Sequence, residues 1–373
     1  MRKTMNKITK LFEKNKGDEK DTIDVQLENQ YDFAELEKDV QWMKAVLKHF
    51  PADLRRLKRD ITKPILWNNE RQKEILLANG FGDIDKSEDY ADKYRALVRG
   101  LDEESAGTVN KILLRHNLIL NSDEENIDLF TMEEQEELRY VRAHFNKEIL
   151  KISDSLYAWR KYLLPYNHFE ASVFWYRHGL EKVNDLSALK GKAIVDVGGY
   201  IGDSVLILSE LDAECIVTFE ADPNNYEMLK QTIKMNEIEN VICENRALGA
   251  EEGTITVAIG DSSSSTVNRP GFEYTGSVEI PMTTLDAYVE KHKLNVGLIK
   301  VDIEGAETDF LKGAKETICA QKPIILLSIY HNAHDFFELK PMLESWNAGY
   351  KFKIYKPTLK DTTAETLLIA EAE

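Results

Sequence analysis

Few cysteines, few prolines and no long apolar run occur in this chain. Its 373 residues include 3 cysteines and 9 prolines. The cysteines, Cys215, Cys243 and Cys319, are odd in number and lack the spacing of metal ligands. We therefore expect free thiols in a reducing compartment, which favours a cytoplasmic protein. Because no run of about eighteen apolar residues occurs, we expect no transmembrane segment.

Positive charge is also scarce relative to negative charge. The chain carries 48 lysine and arginine residues against 65 aspartate and glutamate residues, which gives a net charge of −17. Nucleic-acid binding requires a basic surface, so this balance argues against a nucleic-acid partner. The apolar fraction of 43% is enough for a full core, and the length suggests two domains or one domain with a large extension.

Residues 1–165 carry a helical pattern. Apolar residues over 33–50 recur at three- and four-residue steps and predict a helix that Pro51 ends. A capping-box signature at Thr131 opens a second such pattern, which predicts one long helix over 131–163. We interpret 1–165 as a mostly α-helical domain that contacts substrate or a partner. A homodimer formed through a coiled coil in this half is the alternative.

From about residue 185 the sequence changes to short apolar runs that alternate with helical stretches. This alternation predicts a mostly parallel sheet with helices on both faces. The insertion over 253–281 predicts a β-hairpin or two edge strands, and 350–355 with 365–370 predicts a closing antiparallel pair. Open α/β sheets bind ligands beyond the carboxyl ends of their strands, so the site is expected there. The predicted strands of the sheet are 193–197, 215–220, 240–244, 297–302 and 323–329.

A glycine turn follows the first of these strands. Such a turn lets a cofactor lie against bare backbone at a helix N-terminus. A pyrophosphate site would need glycine at two positions where this chain has Tyr200 and Asp203. A carboxylate there repels a diphosphate and suits a cation, and S-adenosylmethionine carries both a sulfonium and an ammonium group. The residues predicted to bind this cofactor around the turn are Asp196, Gly198, Gly199, Gly202 and Asp203.

The next two strand ends extend the predicted cofactor site. Glu220 ends the second strand, where an acidic residue accepts two hydrogen bonds from a ribose diol. Asp222, which precedes a proline, is expected to start the following helix. The third strand runs into Asn245, whose side-chain amide is our candidate for an adenine contact. The backbone at Arg246 and Ala247 could make the same contact.

Three carboxylates follow the fourth strand at one turn. Like charges this close could surround a cation, order a helix N-terminus or bind substrate hydroxyls. We expect Asp302 to be catalytic and Glu304 and Glu307 to bind the acceptor, while Lys300 pairs with a neighbouring carboxylate. We assign no metal site, although the oxygen atoms of Asp302 and Glu304 leave a divalent ion as an alternative.

A histidine, His331, follows the fifth strand and is expected at the same edge of the sheet. Its ordinary pKa, near 6.5, suits a general base. We predict that it takes the proton of an acceptor hydroxyl. Asp335 would orient this histidine or cap the helix that follows.

These motifs resemble the FkbM family of S-adenosylmethionine-dependent methyltransferases. The resemblance implies a class I (Rossmann-like) seven-stranded methyltransferase sheet and methyl transfer to oxygen, often on sugars or secondary metabolites. Many relatives have Glu-Pro where this chain has Glu220 and Ala221, and a glutamate before the fifth-strand histidine, where Ser328 to Tyr330 stand. The resemblance covers about half of the chain, and its segments are Val195–Asp203, Phe219–Pro223, Ala247–Gly249, Ile280–Asp286 and Ile299–Glu307.

The sequence therefore predicts an α/β enzyme with a helical domain over 1–165 and a methyltransferase domain over 166–373. The predicted reaction is O-methylation of a hydroxyl on a small molecule, either a sugar or glycan or a secondary metabolite. Two alternatives stay open. The large helical half favours an inactive scaffold or partner subunit, and the strand–glycine–helix pattern leaves a nicotinamide-dependent oxidoreductase, which Tyr200 and Asp203 disfavour.

Overall fold

A computed structural model describes residues 67–82, 84, 87–124, 126–260, 264–265 and 274–372. These residues all belong to one structural unit. The helix predicted over 33–50 lies outside the described residues. Within the described part of the chain, no helix combines the length and apolar character needed to cross a membrane.

The described elements are numbered in chain order. The strands are β1 (Trp67–Asn68), β2 (Asn126–Ile127), β3 (Leu150–Ser153), β4 (Leu156–Trp159), β5 (Tyr162–Leu164), β6 (Ala193–Val197), β7 (Cys215–Phe219), β8 (Val241–Glu244), β9 (Ala247–Leu248), β10 (Gly253–Gly260), β11 (Ser264–Ser265), β12 (Tyr274–Thr283), β13 (Val296–Val301), β14 (Ile324–Ser328), β15 (Tyr350–Tyr355) and β16 (Leu367–Ala372). The α-helices are α1 (Asn69–Ala78), α2 (Tyr90–Val98), α3 (Glu103–Asn121), α4 (Met132–Val141), α5 (Ala171–Phe174), α6 (Asp203–Leu208), α7 (Pro223–Met235), α8 (Leu285–His292), α9 (Glu307–Gly313), α10 (Lys315–Gln321) and α11 (Ala333–Ser345).

Seven strands form the central sheet, in the order β15-β16-β14-β13-β6-β7-β8. Strands β6, β7, β8, β13 and β14 are parallel, and β16 is antiparallel to both of its neighbours. Every residue of β6, β13 and β14 is buried, as expected for parallel strands with helices on both faces. This is the Rossmann-like sheet predicted from the sequence, and each predicted strand is confirmed to within two residues.

The insertion after β8 forms a separate sheet. Strands β10 and β12 pair as an antiparallel hairpin, as predicted, and the sheet order is β11-β10-β12-β9. Strand β9 pairs in parallel with the end of β12, which ties the chain just after β8 to this hairpin.

The prediction of one long helix over 131–163 is wrong beyond residue 146. Thr131 does form the capping box with Glu134, but α4 ends at Val141, continues as one π-helical turn over Arg142–Asn146, and gives way to the antiparallel sheet β3-β4-β5. A Ser-Asp-Ser turn at 153–155, where Ser153 Oγ accepts from the backbone N–H of Ser155, separates β3 from β4. Arg160, with φ of 52°, reverses the chain between β4 and β5.

Two apolar cores lie on the two faces of the central sheet, since successive strand residues point to opposite faces. Val195 and Ile299 join a core completed by residues of α2, α3 and α11, among them Leu97. Ile194 and Leu298 join a second core with residues of α4 to α6 and β4 to β5. Residues before 165 therefore contribute to both cores, and the predicted domain division at 165 stays a prediction.

Candidate active site

A cleft of about 640 Å³ opens beyond the carboxyl ends of the parallel strands. The sheet order gives it two sides. The β7 side consists of residues 220–222 and 246–251, and the β13 side of residues 302–306 with Tyr330 and Glu365. The glycine turn after β6 lies between them, so the predicted strand-end motifs do meet at one place.

The glycine turn is shaped by packing within the protein. Gly198 has φ of 84°, and a Cβ there would lie 1.9 Å from the carbonyl oxygen of Asp302. At Gly202, with φ of 87°, a Cβ would meet Leu229 and Thr232 of α7. Gly198 lines the cleft, whereas neither Gly199 nor Gly202 is among its lining residues. These glycines therefore let the turn pack against β13 and α7, which places the backbone under the cleft.

Asp196 lies behind the turn and not in the cleft. It is fully buried and accepts hydrogen bonds of 2.9 Å from both Ser204 Oγ and Thr218 Oγ1. Lys300 Nζ lies 3.2 Å from Asp196 Oδ1 and donates to the carbonyl oxygen of Gly198 at 2.8 Å. Burial opposes the charge of Lys300, but Asp196 and other carboxylates outweigh it and raise the pKa of the lysine. The predicted pairing of Lys300 is confirmed, and Asp196 supports the turn through it.

Glu220 lines the β7 side with an ordered carboxylate. Its Oε2 accepts from the backbone N–H of Tyr200 at 2.7 Å, and its Oε1 accepts from that of Asp222 at 2.8 Å. Burial, with 8% of the residue exposed, raises the pKa of Glu220 to about 7. Each carboxylate oxygen keeps a second lone pair for a ligand hydroxyl. Asp222 caps α7, as predicted, by accepting from two backbone N–H groups of the first helical turn.

Asn245 supports the backbone of the β7 side instead of lining the cleft. Its Nδ2 donates to the carbonyl oxygens of Glu220 at 2.8 Å and Ala221 at 3.2 Å. The residues that follow it, from Arg246 to Glu251, do line the cleft. Of the two alternatives for an adenine contact, the geometry therefore favours the backbone after Asn245.

Asp203 faces the cleft from the start of α6. The N-cap of this helix is Gly202, in the left-handed conformation, and the Asp203 carboxylate accepts from the backbone N–H of Ser204 at 2.9 Å. Burial raises the pKa of Asp203 to about 6, against the lowering effect of His168 and Lys300. Asp203 thus lines the cleft and also holds a backbone N–H of the first helical turn, and its contact with the cofactor stays a prediction.

On the β13 side, Asp302 and Glu304 line the cleft and His331 lies beneath them. His331 is 4% exposed, with Nε2 3.2 Å from Asp302 Oδ1 and 3.6 Å from Glu304 Oε2. Its Nδ1 lies 2.9 Å from Glu307 Oε1. Glu307 is fully buried, accepts from the backbone N–H of Ile303 at 3.0 Å, and is not among the lining residues. Glu307 therefore holds the histidine from below, and its predicted contact with the acceptor does not fit.

The general-base role predicted for His331 does not fit this environment. Burial disfavours the charged ring, but the carboxylates of Glu307 and Asp302 outweigh burial and raise the pKa of His331 well above its usual value. Nε2 faces Asp302 and Nδ1 faces Glu307, so neither ring nitrogen is directed at a substrate in the cleft. Burial also opposes the charge of Asp302, yet its contact with His331 lowers the pKa of this carboxyl.

Asp335 does not cap α11, since Asn332 does so by accepting from the backbone N–H of Asp335 at 2.8 Å.

Tyr330 and Glu365 are site residues that sequence reasoning missed. The Tyr330 hydroxyl lies 3.3 Å from Asp302 Oδ1 and 3.2 Å from Glu365 Oε1, and both residues line the cleft. Burial, then the nearby Asp302 and Glu170, raise the pKa of Glu365 to about 8. Because β16 is antiparallel, its beginning lies at the same edge as the carboxyl ends of the parallel strands. Applied to the predicted closing pair, that rule would have found Glu365.

Carboxylates dominate the described lining of the cleft, and its basic side chains are paired or neutral. Lys300, Arg246 and His168 each have a nitrogen 3.2 Å from a carboxylate oxygen, of Asp196, Glu244 and Glu170 respectively. Burial lowers the pKa of the remaining one, His178, to about 3. The acidic lining residues are Glu170, Asp203, Glu220, Asp222, Glu251, Asp302, Glu304, Asp309 and Glu365.

Comparison with known proteins agrees with this geometry. Residues 196–352 match the family model described as "Methyltransferase FkbM domain". The match covers less than half of the chain and includes the end of β6, β7 to β14 and the start of β15, with most of the residues that line the cleft. Glu170 and Glu365, which also line it, lie outside the matched residues.

Individual relatives are more distant. A curated protein of Beauveria bassiana (strain ARSEF 2860), named "Methyltransferase 1", is 24% identical over 186 residues, which cover 44% of this chain and 74% of that protein. A crystal structure of the methyltransferase FkbM of Methylobacillus flagellatus KT is similar with a TM-score of 0.48 and 19% identity, covering 75% of this chain and 58% of that one. M. jannaschii TYW2, solved in complex with AdoMet, covers 59% of this chain and 86% of its own, with 12% identity and a TM-score of 0.28.

Proposed function

We propose that this methyltransferase uses S-adenosylmethionine to methylate a hydroxyl group of a sugar, a glycan or a small secondary metabolite. One observation carries the proposal: the cleft is lined by carboxylates, and its basic side chains are paired or neutral. Such a cleft attracts a sulfonium and an ammonium group and repels a diphosphate. The nicotinamide alternative is disfavoured for the same reason.

The cofactor would lie across the glycine turn from the β7 side to the β13 side. Glu220 would accept hydrogen bonds from the ribose hydroxyls with the lone pairs that its backbone partners leave free. The backbone after Asn245 would contact the adenine, and Asp203 would face the cationic end of the cofactor. Asp196, Gly199, Gly202 and Asn245 would support this arrangement without touching the cofactor.

Methyl transfer then depends chiefly on alignment. The sulfonium methyl is already electrophilic, and holding it in line with an acceptor oxygen contributes roughly 7–11 kcal/mol. On the β13 side, Asp302 and Glu304 would position the acceptor. S-adenosylmethionine would supply the methyl group to the acceptor oxygen and become S-adenosylhomocysteine, and Asp302 would accept the hydroxyl proton. Asp302 replaces His331 in this step because it lines the cleft, whereas His331 lies beneath it.

The reaction is tested by incubating the full chain with S-adenosylmethionine and a panel of glycans and secondary metabolites, and by measuring the mass gain of one methyl group. Asp302→Asn should lower turnover by about 10²- to 10⁴-fold and leave the dissociation constant of the cofactor unchanged. Asp154→Asn, in an exposed turn with its side chain 99% accessible, is the matched control and should keep full turnover.

Calorimetry distinguishes the alternatives. A folded protein that does not bind S-adenosylmethionine would contradict the proposal and favour an inactive scaffold or partner subunit. Binding of a nicotinamide dinucleotide would favour an oxidoreductase. Full turnover of Asp302→Asn would remove Asp302 from the proton transfer.

We also propose a cytoplasmic location and retain the homodimer as a proposal. The three cysteines are free thiols, which supports a reducing compartment. The coiled coil that motivated the homodimer loses support, because the helix of 131–163 ends at Val141. Light scattering of the full chain, which gives its molar mass, decides between monomer and dimer.

A further inference from the structure

Side chains that can bind a metal meet under the β13 side of the cleft. One ligand atom from each of Asp302, Glu307 and His331 lies within 4.8 Å of the others. The residues come from separate elements: Asp302 follows β13, Glu307 begins α9, and His331 follows β14. The sequence predicts only oxygen ligands for an ion at this turn, and the fold adds an imidazole nitrogen.

A second observation concerns the hydrogen bonding of these buried groups. Although Nδ1 and Nε2 of His331 lie close to carboxylates, neither forms a hydrogen bond of acceptable geometry, and Oε2 of Glu307 forms none either. Both residues are almost completely buried, with 4% of His331 and none of Glu307 exposed. Buried polar atoms without hydrogen bonds are costly and uncommon in folded proteins. Coordination of a cation would satisfy them.

The number of acidic side chains in the cluster also favours a bound cation. Glu304 Oε2 lies 3.6 Å from His331 Nε2, and Asp335 receives a 2.5 Å hydrogen bond from Asn332 Nδ2 next to the same histidine. Four acidic side chains, counting Asp302 and Glu307, thus surround a single histidine, whose ring can supply at most one positive charge. The cluster thus holds four carboxylates and one imidazole, and both are ligand types that divalent cations take.

We propose that Asp302, Glu307 and His331 bind a divalent cation of the Mn²⁺ or Mg²⁺ class at the floor of the cleft. Carboxylates suit Mg²⁺ and Mn²⁺, and an imidazole ligand favours Mn²⁺ of the two. The cation takes the place of the proton on the histidine ring. Because Asp302 also lines the cleft, an acceptor hydroxyl could enter the coordination shell, where the ion would lower the pKa of that hydroxyl. Only this last consequence rests on the proposed methyl transfer.

The test is a titration of the chelator-treated full chain with MnCl₂, followed by calorimetry and by the electron paramagnetic resonance of free Mn²⁺. The wild-type chain should bind one Mn²⁺ in the absence of cofactor. His331→Gln and Glu307→Gln should weaken this binding by at least about tenfold. His168→Gln is the matched control, since His168 also lies 3.2 Å from a carboxylate at the same cleft, and it should bind Mn²⁺ like the wild type.

Buried substitutions can unfold a protein, so circular dichroism accompanies each variant, and Asp302→Asn, whose side chain is 23% exposed, provides a third variant. A folded wild-type chain that binds no Mn²⁺ at millimolar concentration would overturn the proposal. So would wild-type Mn²⁺ affinity in all three ligand variants. A parallel titration with S-adenosylmethionine separates the two proposals: cofactor binding without Mn²⁺ binding rejects the metal site alone, and the reverse result rejects only the proposed function.

Discussion

Glu220 is the residue whose environment is best suited to recognise the cofactor. The backbone N–H groups of Tyr200 and Asp222 fix its carboxylate at the edge of the cleft. Tyr200 lies 20 residues from Glu220 in the sequence, and Asp222 lies two residues from it. A buried carboxylate held in this way is preorganised, because its orientation does not have to be fixed when a ligand arrives. The sequence predicted this residue from the strand end alone, but the two donors come from the fold.

Replacing Glu220 with glutamine should weaken S-adenosylmethionine binding by about ten- to a hundredfold, since hydrogen bonds to a charged group are lost. Isothermal titration calorimetry measures the change. The control is Glu227→Gln on α7, whose side chain is 63% accessible, and its affinity should equal that of the wild type. Unchanged affinity in Glu220→Gln would remove the residue from the cofactor site.

The affinity for S-adenosylmethionine should also depend on pH. Burial raises the pKa of Glu220 to about 7 and that of Asp203 to about 6, so both carboxyls gain protons as the pH falls below neutrality. The protonated forms attract the cationic cofactor less, and affinity should fall by about tenfold or more from pH 7.5 to pH 5.5. Titrations across this range measure the profile. Glu220→Gln should reduce the pH dependence to the part that Asp203 contributes, and a flat profile in the wild type would contradict the role of both groups.

At the scale of elements, the turn between β6 and α6 depends on Gly198. Gly198→Ala should destabilise the fold by about 2–4 kcal/mol, because its Cβ would lie 1.9 Å from the Asp302 carbonyl oxygen. Gly191→Ala is a matched control: φ is 69° there, but nothing lies within 4 Å of the added Cβ. Gly191→Ala should lower the free energy of unfolding only by the backbone strain, about 1–2 kcal/mol. Urea unfolding measures both, and equal losses would show that strain alone acts at Gly198.

The elements differ in how far the sequence predicts them. The strands of the central sheet are nearly continuous apolar runs, and their short length and flanking turn residues favour buried parallel strands over helices. The segment over 131–163 has apolar residues at helical steps, yet it forms α4 and then three strands. Trp159 and Tyr162 have the spacing of a helix face, but they lie on the adjacent strands β4 and β5, where both side chains are buried. Trp159 packs on Phe145. Tertiary packing outweighed local periodicity there.

At the scale of the whole molecule, Lys340 on α11 connects that helix to α2, which precedes the matched residues 196–352. It is 1% exposed, and its Nζ donates to the carbonyl oxygens of Ala96, at 3.2 Å, and of Arg99, at the end of α2. It also contacts Glu344 Oε2 at 3.0 Å on its own helix, α11. One buried ammonium thus satisfies the C-terminal end of α2 and fixes that helix on α11.

Lys340→Met should lower the free energy of unfolding by about 2–3 kcal/mol, because the α2 carbonyl groups lose a charged donor while the side-chain volume is nearly kept. Lys312→Met, with a side chain 54% accessible, is the control and should change stability little. Thermal unfolding measures both variants. Since Lys340 does not line the cleft, cofactor affinity should stay unchanged, and a parallel loss of affinity would contradict this purely structural role.

The sequence by itself determined the sheet, the glycine turn and the acidic strand ends, because runs of apolar residues and the residues that stop them are local signals. It also determined the sign of the charge in the cleft, which separates a cationic cofactor from a diphosphate. Only the tertiary structure decided which of the predicted residues reach the cleft. Asp196, Asn245, Glu307 and His331 stand at strand ends as predicted, yet hydrogen bonds and ion pairs with distant segments turn their side chains into the protein. Those partners are far apart in sequence, and only folding brings them together.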